Sequence, residues 1–289
     1  MASLKEIKGR ISSVEGTLKI TSAMKMVASA KLHKAQQAIE GMQPYNRQLH
    51  RIMTRMMSAA TQVSSPLCSE HPDKQRVAVV CVASNSSLCG GYNGNATRHT
   101  LAVIDAYKKQ LSADAIDVYV IGRKLEQALS KQTGFRLIHD FQEKGDNPSF
   151  ATAQVLADRL MQDFLAGRID EVKLVYMHFK NTASQVPTVE TYLPVPLQSA
   201  GQEGAMAGYV VEPSPSQVMN VLIPDALRMK IFTMMLDAQA AEHAARVVAM
   251  QTATDNANEL LDELRIQYNK GRQSAITAEL LDIVGGSMN

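Results

Sequence analysis

From about Leu227 to Asn289 the chain holds no proline and, before Gly271, no glycine, an uninterrupted run of more than forty residues. Ala, Leu, Met, Gln, Glu and Arg dominate it, and these are strong helix formers. A single helix over this stretch would be roughly 85–90 Å long at ~1.5 Å per residue. Few compact domains have room for such a rod. A helix of that length must bury its apolar stripe against something equally long.

The other end of the chain offers a partner. From Ile7, steps of four and three pick out Ile11, Val14, Leu18, Thr21, Lys25, Ala28, Leu32, Ala35, Ile39, Met42, Asn46, Leu49, Met53, Met56 and Ala60. Only Thr21, Lys25 and Asn46 in that set are not apolar, so the heptad is sustained and reads as a coiled-coil seam. Ser3 followed by Glu6 fits a capping box at its start. Pro44 predicts a kink or a local break.

Between the two helices the period changes. Residues 64–75 are rich in Ser and Pro and read as a linker. Arg76–Ala83 and Ile116–Ile121 are short β-branched runs, as expected of strands buried on both faces. Asn95–Gln110, Gly122–Lys131 and Phe150–Ala166 read as helices, with Phe135–Ile138 a short third strand. Glu171–Phe179 and Pro187–Leu193 stand close enough to pair as a hairpin. This alternation predicts an α/β domain with a mainly parallel sheet. Pro and Gly crowd residues 194–216, which read as loop with a short strand at Tyr209–Glu212. Ser214 or Ser216 is a candidate cap, and Pro224 is expected to separate a lead-in turn from the long helix.

Within the long helix the four–three rhythm runs through Leu227, Ile231, Met234, Ala238, Ala241, Ala245, Val248 and Thr252. It turns polar at Asp255 and Glu259 and resumes in a shifted frame at Leu261, Leu264, Tyr268, Gly271, Ala275 and Ala278. Such a shift reads as a stutter in one coil. The fold class expected is α/β: a long antiparallel coiled coil of N- and C-terminal helices with an inserted Rossmann-like α/β domain. Its parts are residues 1–63, 76–195 and 214–289, with the C-terminal helix longer than the N-terminal one or offset along it, so that one tip is unpaired.

A catalytic constellation does not emerge. The turn Cys89–Gly94 is glycine-rich and follows a strand, but its GGxxG spacing is not the GxGxxG of dinucleotide sites, and GxxxxGK[ST] is absent. Three cysteines without CxxC spacing and seven histidines without HxxxH or HExxH suggest no metal site. No run of ~20 apolar residues predicts a membrane span, and no signal or transit peptide is expected at the N-terminus. Lys5, Lys8, Arg10, Lys19, Lys25, Lys31 and Lys34 crowd the first helix. They lack interleaved aromatics, which disfavours nucleic acid, and a net charge of +2 adds little to that case. Two other readings stand beside a structural shaft: a dinucleotide-dependent enzyme with helical arms, and a coiled-coil adaptor that binds anionic membrane or nucleic acid.

Four segments carry a resemblance: KITSAMKMVASAKL at 19–32, SLCGGYN at 87–93, EHAARVVAMQTATDNANEL at 242–260 and RQSAITAELLDIVGG at 272–286. Together they resemble the gamma subunits of F-type ATP synthases. The resemblance implies a non-catalytic rotor shaft without cofactors, turning inside a ring of three alpha and three beta subunits. The α/β domain would sit near the epsilon subunit and the membrane c-ring, at the cytoplasmic face of a bacterial inner membrane. It further implies that Met24, Lys25, Arg246, Arg272, Gln273, Thr277 and Glu279 meet beta subunits, with Arg246 facing Met24 and Lys25. Leu280, Leu281, Ile283 and Val284 would form an apolar bearing tip, and Glu212 a foot contact to the c-ring or epsilon. Two departures stand out: Ser86 lies where the family usually has a basic residue, and Val211 where it has an aromatic.

Overall fold

A computed structural model describes residues 3–59, 65–71, 74–141, 145–195, 212 and 214–286. Helix α1 spans Leu4–Ala59 and helix α5 spans Pro215–Gly286. Between them lie β1 (Val77–Val82), α2 (Tyr92–Lys108), β2 (Ile116–Ile121), α3 (Arg123–Leu129), β3 (Arg136–Ile138), α4 (Phe150–Leu165), β4 (Glu171–Asn181) and β5 (Ser184–Leu193). The coiled coil and the inserted α/β unit are both present. The segment Tyr209–Val211, where a strand was expected, lies outside the described residues, and Glu212 is exposed.

The sheet order is β3-β2-β1-β4-β5. The first four strands are parallel, joined by crossovers through α2, α3 and α4, and β5 returns antiparallel to β4. Alternation along β1 sends Ala78, Val80 and Val82 to one face, against α4 and α5. Val77, Val79 and Cys81 point to the other face, against α2 and α3. Both faces are therefore covered, which is why β1 and β2 are apolar without interruption. At the end of β2, Gly122 has φ +112°, and a Cβ there would lie 2.1 Å from the Ala83 carbonyl oxygen. Only glycine fits that approach.

The two long helices run antiparallel. Thr21 Oγ1 lies 2.9 Å from Thr254 Oγ1, Asn46 Nδ2 donates to Thr233 Oγ1 at 3.2 Å, and Glu15 pairs with Arg265 at 3.3 Å. Every α1 seam position with a described side chain, from Ile7 to Met53, is buried or half-buried. Ser3 Oγ accepts from the Glu6 N–H at 3.2 Å, which starts the helix. The helix runs on through Pro44.

Two expectations about α5 are corrected. The helix begins at Pro215, and Pro224 lies inside it. Ser214 is the cap: its Oγ accepts from the Gln217 N–H at 3.3 Å, and Pro215 takes the first helical position, where a missing N–H costs nothing. Met219, Ile223 and Leu227 are buried against α4 and the sheet, and this packing carries the helix through the proline. Nor is there one seam with a stutter. Leu227, Ile231, Met234 and Ala238 face the sheet and α4, and Ala241 and Ala245 continue that face toward α2. A second stripe faces α1. It includes Thr233, Ala240, Ala244, Thr254 and Gly271, and the buried Met250, Ala257, Leu261 and Leu264 keep its spacing. The frame that resumes at Leu261 continues this stripe. The helix carries two partners on two faces.

Candidate functional site: the shaft, its grip and its free end

Past Gly271, α5 continues where α1 has ended. Leu4, the first residue of α1, packs beside Gly271. From there to Gly286 the helix projects roughly 22 Å at ~1.5 Å per residue. Arg272, Gln273, Thr277 and Glu279 are all exposed on it. Thr277 donates its hydroxyl proton to the Gln273 carbonyl at 2.9 Å. Leu280, Leu281, Ile283 and Val284 are each more than half exposed, at 57%, 66%, 63% and 53%. Single exposed apolar residues are ordinary, but four within five positions at a helix end mark a contact surface.

Met24 and Lys25 are half-buried on α1. Next to them Ile20, Met26 and Val27 are exposed, at 62%, 67% and 58%. The side of the shaft away from α5 therefore presents apolar residues among lysines.

Arg246 makes its hydrogen bonds within α5 and to the turn between β1 and α2. Its guanidinium donates to Glu242 Oε1 at 2.6 Å, to His243 Nδ1 at 3.3 Å, to Ser86 Oγ at 2.8 Å and to the Ser87 carbonyl at 3.4 Å. All four partners lie on α5 itself or in the turn between β1 and α2. The basic residue expected at position 86 would bring a second cation toward this guanidinium; Ser86 instead accepts a hydrogen bond from it. Glu242 is 3% exposed, and burial raises its carboxyl pKa even though Arg246 draws it down. Burial, with Arg246 and Lys31 adding and Asp146 opposing, holds the His243 pKa down to about 4. The ring is neutral at pH 7 and free to accept from Arg246. The Glu242–Arg246 spacing of four was a visible signal of this pair; Ser86, 160 positions away, was not.

The glycine-rich turn is packed against the shaft. A cavity of about 170 Å³ beside it is lined by Gly90, Gly91, Tyr92, Ala245, Val248 and Ala249, among others. A Cβ on Gly90 would touch Ala249 Cβ at 3.6 Å, and Tyr92 donates its buried hydroxyl to the Ala238 carbonyl at 3.0 Å. The small residues here let the start of α2 approach α5 closely. Among the described residues no group of His, Cys, Asp and Glu side chains is arranged to hold a metal, and no helix is long and apolar enough to cross a membrane.

Fold and site together define a two-helix shaft with an α/β domain packed on one side and an exposed apolar tip at the end. Comparison with known proteins agrees. The family model described as ATP synthase matches residues 3–288. The ATP synthase gamma chain of Phocaeicola vulgatus is 55% identical over the whole of both chains, and that of Bacteroides fragilis 53%. A chain from the OSCP/F1/c-ring structure of Euglena gracilis mitochondrial ATP synthase superposes with a TM-score of 0.65 at 19% identity, covering 99% of this chain and 93% of that one. A chain from the rotor of the same enzyme gives 0.63 at 17% identity, covering 94% and 98%. These two likenesses show the fold. The chain belongs to the ATP synthase gamma chain family, whose members are non-catalytic rotor subunits.

Proposed function

We propose that the chain is the central rotor shaft of a proton-translocating F-type ATP synthase, coupling c-ring rotation to the conformational cycle of catalytic beta subunits during ATP synthesis from ADP and phosphate. The observation that carries this reading is the free end of α5, which leaves α1 at Gly271 and presents exposed Leu280, Leu281, Ile283 and Val284. A ring of three alpha and three beta subunits supplies the sleeve such an end needs. Apolar contact is non-directional and does not lock one angle, which suits a bearing.

In this reading residues 1–63 and 214–289 form the shaft and 76–195 the side domain. Met24, Lys25, Arg272, Gln273, Thr277 and Glu279 meet beta subunits. Solvated polar contacts of this kind are worth only ~0–1 kcal/mol each, so they are made and broken as the shaft turns. Arg246 reaches beta subunits indirectly, by fixing the β1–α2 turn against the shaft. Glu212 lies at the foot, facing the c-ring or epsilon. The complex sits at the cytoplasmic face of a bacterial membrane, and the bacterial origin of the two gamma chains named above supports that placement.

The test is reconstitution. The chain mixed with alpha and beta subunits should co-purify as one complex whose ATP hydrolysis drives rotation, and the chain alone should hydrolyse little ATP. Failure to associate with the ring would overturn the proposal.

A further inference from the structure

Besides the apolar packing of α5 on the sheet and α4, polar contacts of unequal kind tie the α/β domain to the shaft. Arg228 of α5 reaches Asp158 of α4 at 2.7 Å, and Lys230 pairs with Glu190 of β5. These are long, partly exposed side chains, which yield under load because solvated ion pairs are weak and adaptable. The contact from β4 is different. This strand pairs with β1 only as far as Val175 and then continues beside β5 alone to Asn181. Its extension leans on α5. There Asp237, 14% exposed at its side chain, accepts twice: from the His178 Nδ1–H at 2.6 Å and from the Phe179 backbone N–H at 2.9 Å. A backbone donor has no side-chain slack, so one half of this contact registers the helix directly on the strand. The Phe179 side chain packs against the cluster of Leu32 and Ala35 from α1 with Ala240 and Ala244 from α5. One residue of the domain therefore packs on a cluster to which both helices of the shaft contribute, three of its four buried residues being alanines.

We propose that the His178–Phe179 step of β4, closed on Asp237, is the clasp that transmits torque between the α/β domain and the coiled coil. Turning the domain about the shaft would have to draw Phe179 off that cluster and break both bonds to Asp237 together. Apolar packing and a backbone-registered carboxylate resist that motion more stiffly than the outlying lysine and arginine tethers. His178, Phe179 and Asp237 are thus positioning residues for coupling. They act through the shaft and touch no nucleotide. This inference rests on the rotor reading.

The experiment is single-molecule rotation of the ring of alpha and beta subunits assembled with the full chain, the bead fixed to the α/β domain. At the catalytic pauses, Asp237→Ala should widen the variance of bead angle roughly twofold, as expected when the stiffest of several parallel connections is lost. ATP hydrolysis at saturating substrate should stay at the wild-type rate. Phe179→Leu, which keeps apolar bulk in the cluster, should widen it less and provides the reading if Asp237→Ala does not assemble. Lys230→Ala should leave the variance unchanged. An unaltered variance in Asp237→Ala and Phe179→Leu, or a widening as large in Lys230→Ala, would overturn the clasp. A wild-type chain that neither assembles nor rotates would overturn the rotor reading, and the clasp with it.

Discussion

Leu4 and Gly271 meet at the open end of the coiled coil, where a Cβ on the glycine would lie 3.2 Å from Leu4 Cδ2. That is tight, but the opposing atom is the end of a flexible side chain at the first turn of α1. Gly271→Ala should therefore be tolerated, with Leu4 turning aside. The helix gains roughly 0.5–1 kcal/mol from the lost glycine entropy, less the small repacking cost. Gly16→Ala, which has nothing within 4 Å, is the comparison that isolates the helix term. Chemical denaturation of the free subunit measures both, and a destabilised Gly271→Ala beside a stabilised Gly16→Ala would show that Leu4 cannot move.

Arg246 is the charge whose loss should cost most. Its removal strands Glu242, buried and then without its cation. Breaking a buried pair from one side typically costs about 3–5 kcal/mol. Arg246→Ala should approach that range, and Glu242→Gln should cost less because an amide needs less solvation. Ser86→Ala should cost about 1.5 kcal/mol, the low end for a hydrogen bond to a charged group, because Ser86 is exposed. In the double variant that increment should vanish, since Ser86 Oγ acts through Arg246. Denaturant titrations of the four proteins close the cycle.

Stability should depend on pH through His243. The unfolded ring takes up a proton near its ordinary value of 6.5, whereas the folded one holds out to about 4. Between those values the unfolded state binds more protons. The contribution is thus complete above pH 6.5 and is lost as pH falls to about 4, amounting to roughly 3 kcal/mol at most. His243→Gln should flatten the profile across that window. The comparison with wild type is needed because Glu242, raised by burial, titrates with the opposite sign. Asp170 contributes further down. Burial opposes its ionisation, but the Arg76 N–H, the His71 ring and the Gln75 N–H together hold its pKa below the usual value, so its share is lost in more acid solution. Thermal melts from pH 4 to 8 with and without His243 decide the point.

The α1 seam was legible because it serves one partner. A single stripe with three exceptions, Thr21, Lys25 and Asn46, can be read by counting, and Thr21 and Asn46 make polar contacts across the coil with Thr254 and Thr233. Helix α5 was not, because two partners share it. Ala240 and Ala244 face α1 while Ala241 and Ala245 face the domain, and alanine fits either stripe. A one-dimensional count follows whichever stripe is richer and reports a stutter where it changes. Pro224 misled for a related reason: propensity marks it as a boundary, but burial of Met219, Ile223 and Leu227 on the sheet overrides propensity. The strands and crossovers could be read from their β-branched runs. The Arg246–Ser86 and Asp237–Phe179 contacts join residues far apart in sequence, and no local pattern announces them. An unpaired tip was expected from the two helices themselves, but its four apolar contact residues were assigned only through the resemblance, since an apolar stripe does not say whether anything covers it.

Residues 272–289 supply the sharpest separation of stability from function. The described side chains from Arg272 to Leu281 are exposed, and α1 ends alongside Gly271. Removing this segment should therefore change the unfolding free energy of the free subunit by no more than about 0.5 kcal/mol, the usual range for surface changes. The effect should appear only in the assembly. On the proposed reading, the shaft without Arg272, Gln273, Thr277 and Glu279 should lose polar contacts to beta subunits, and without Leu280, Leu281, Ile283 and Val284 it should lose its bearing. Torque against a viscous load should fall, and dissociation from the ring should quicken. A finer variant, Leu280→Ser with Ile283→Ser, keeps the helix length and removes apolar contact alone. It should weaken retention in the ring while leaving the polar contacts to act. Equal torque and retention in the truncated chain would mean that the free end of α5 carries no load, and the contacts assigned to it would have to lie lower on the shaft, near Met24 and Lys25.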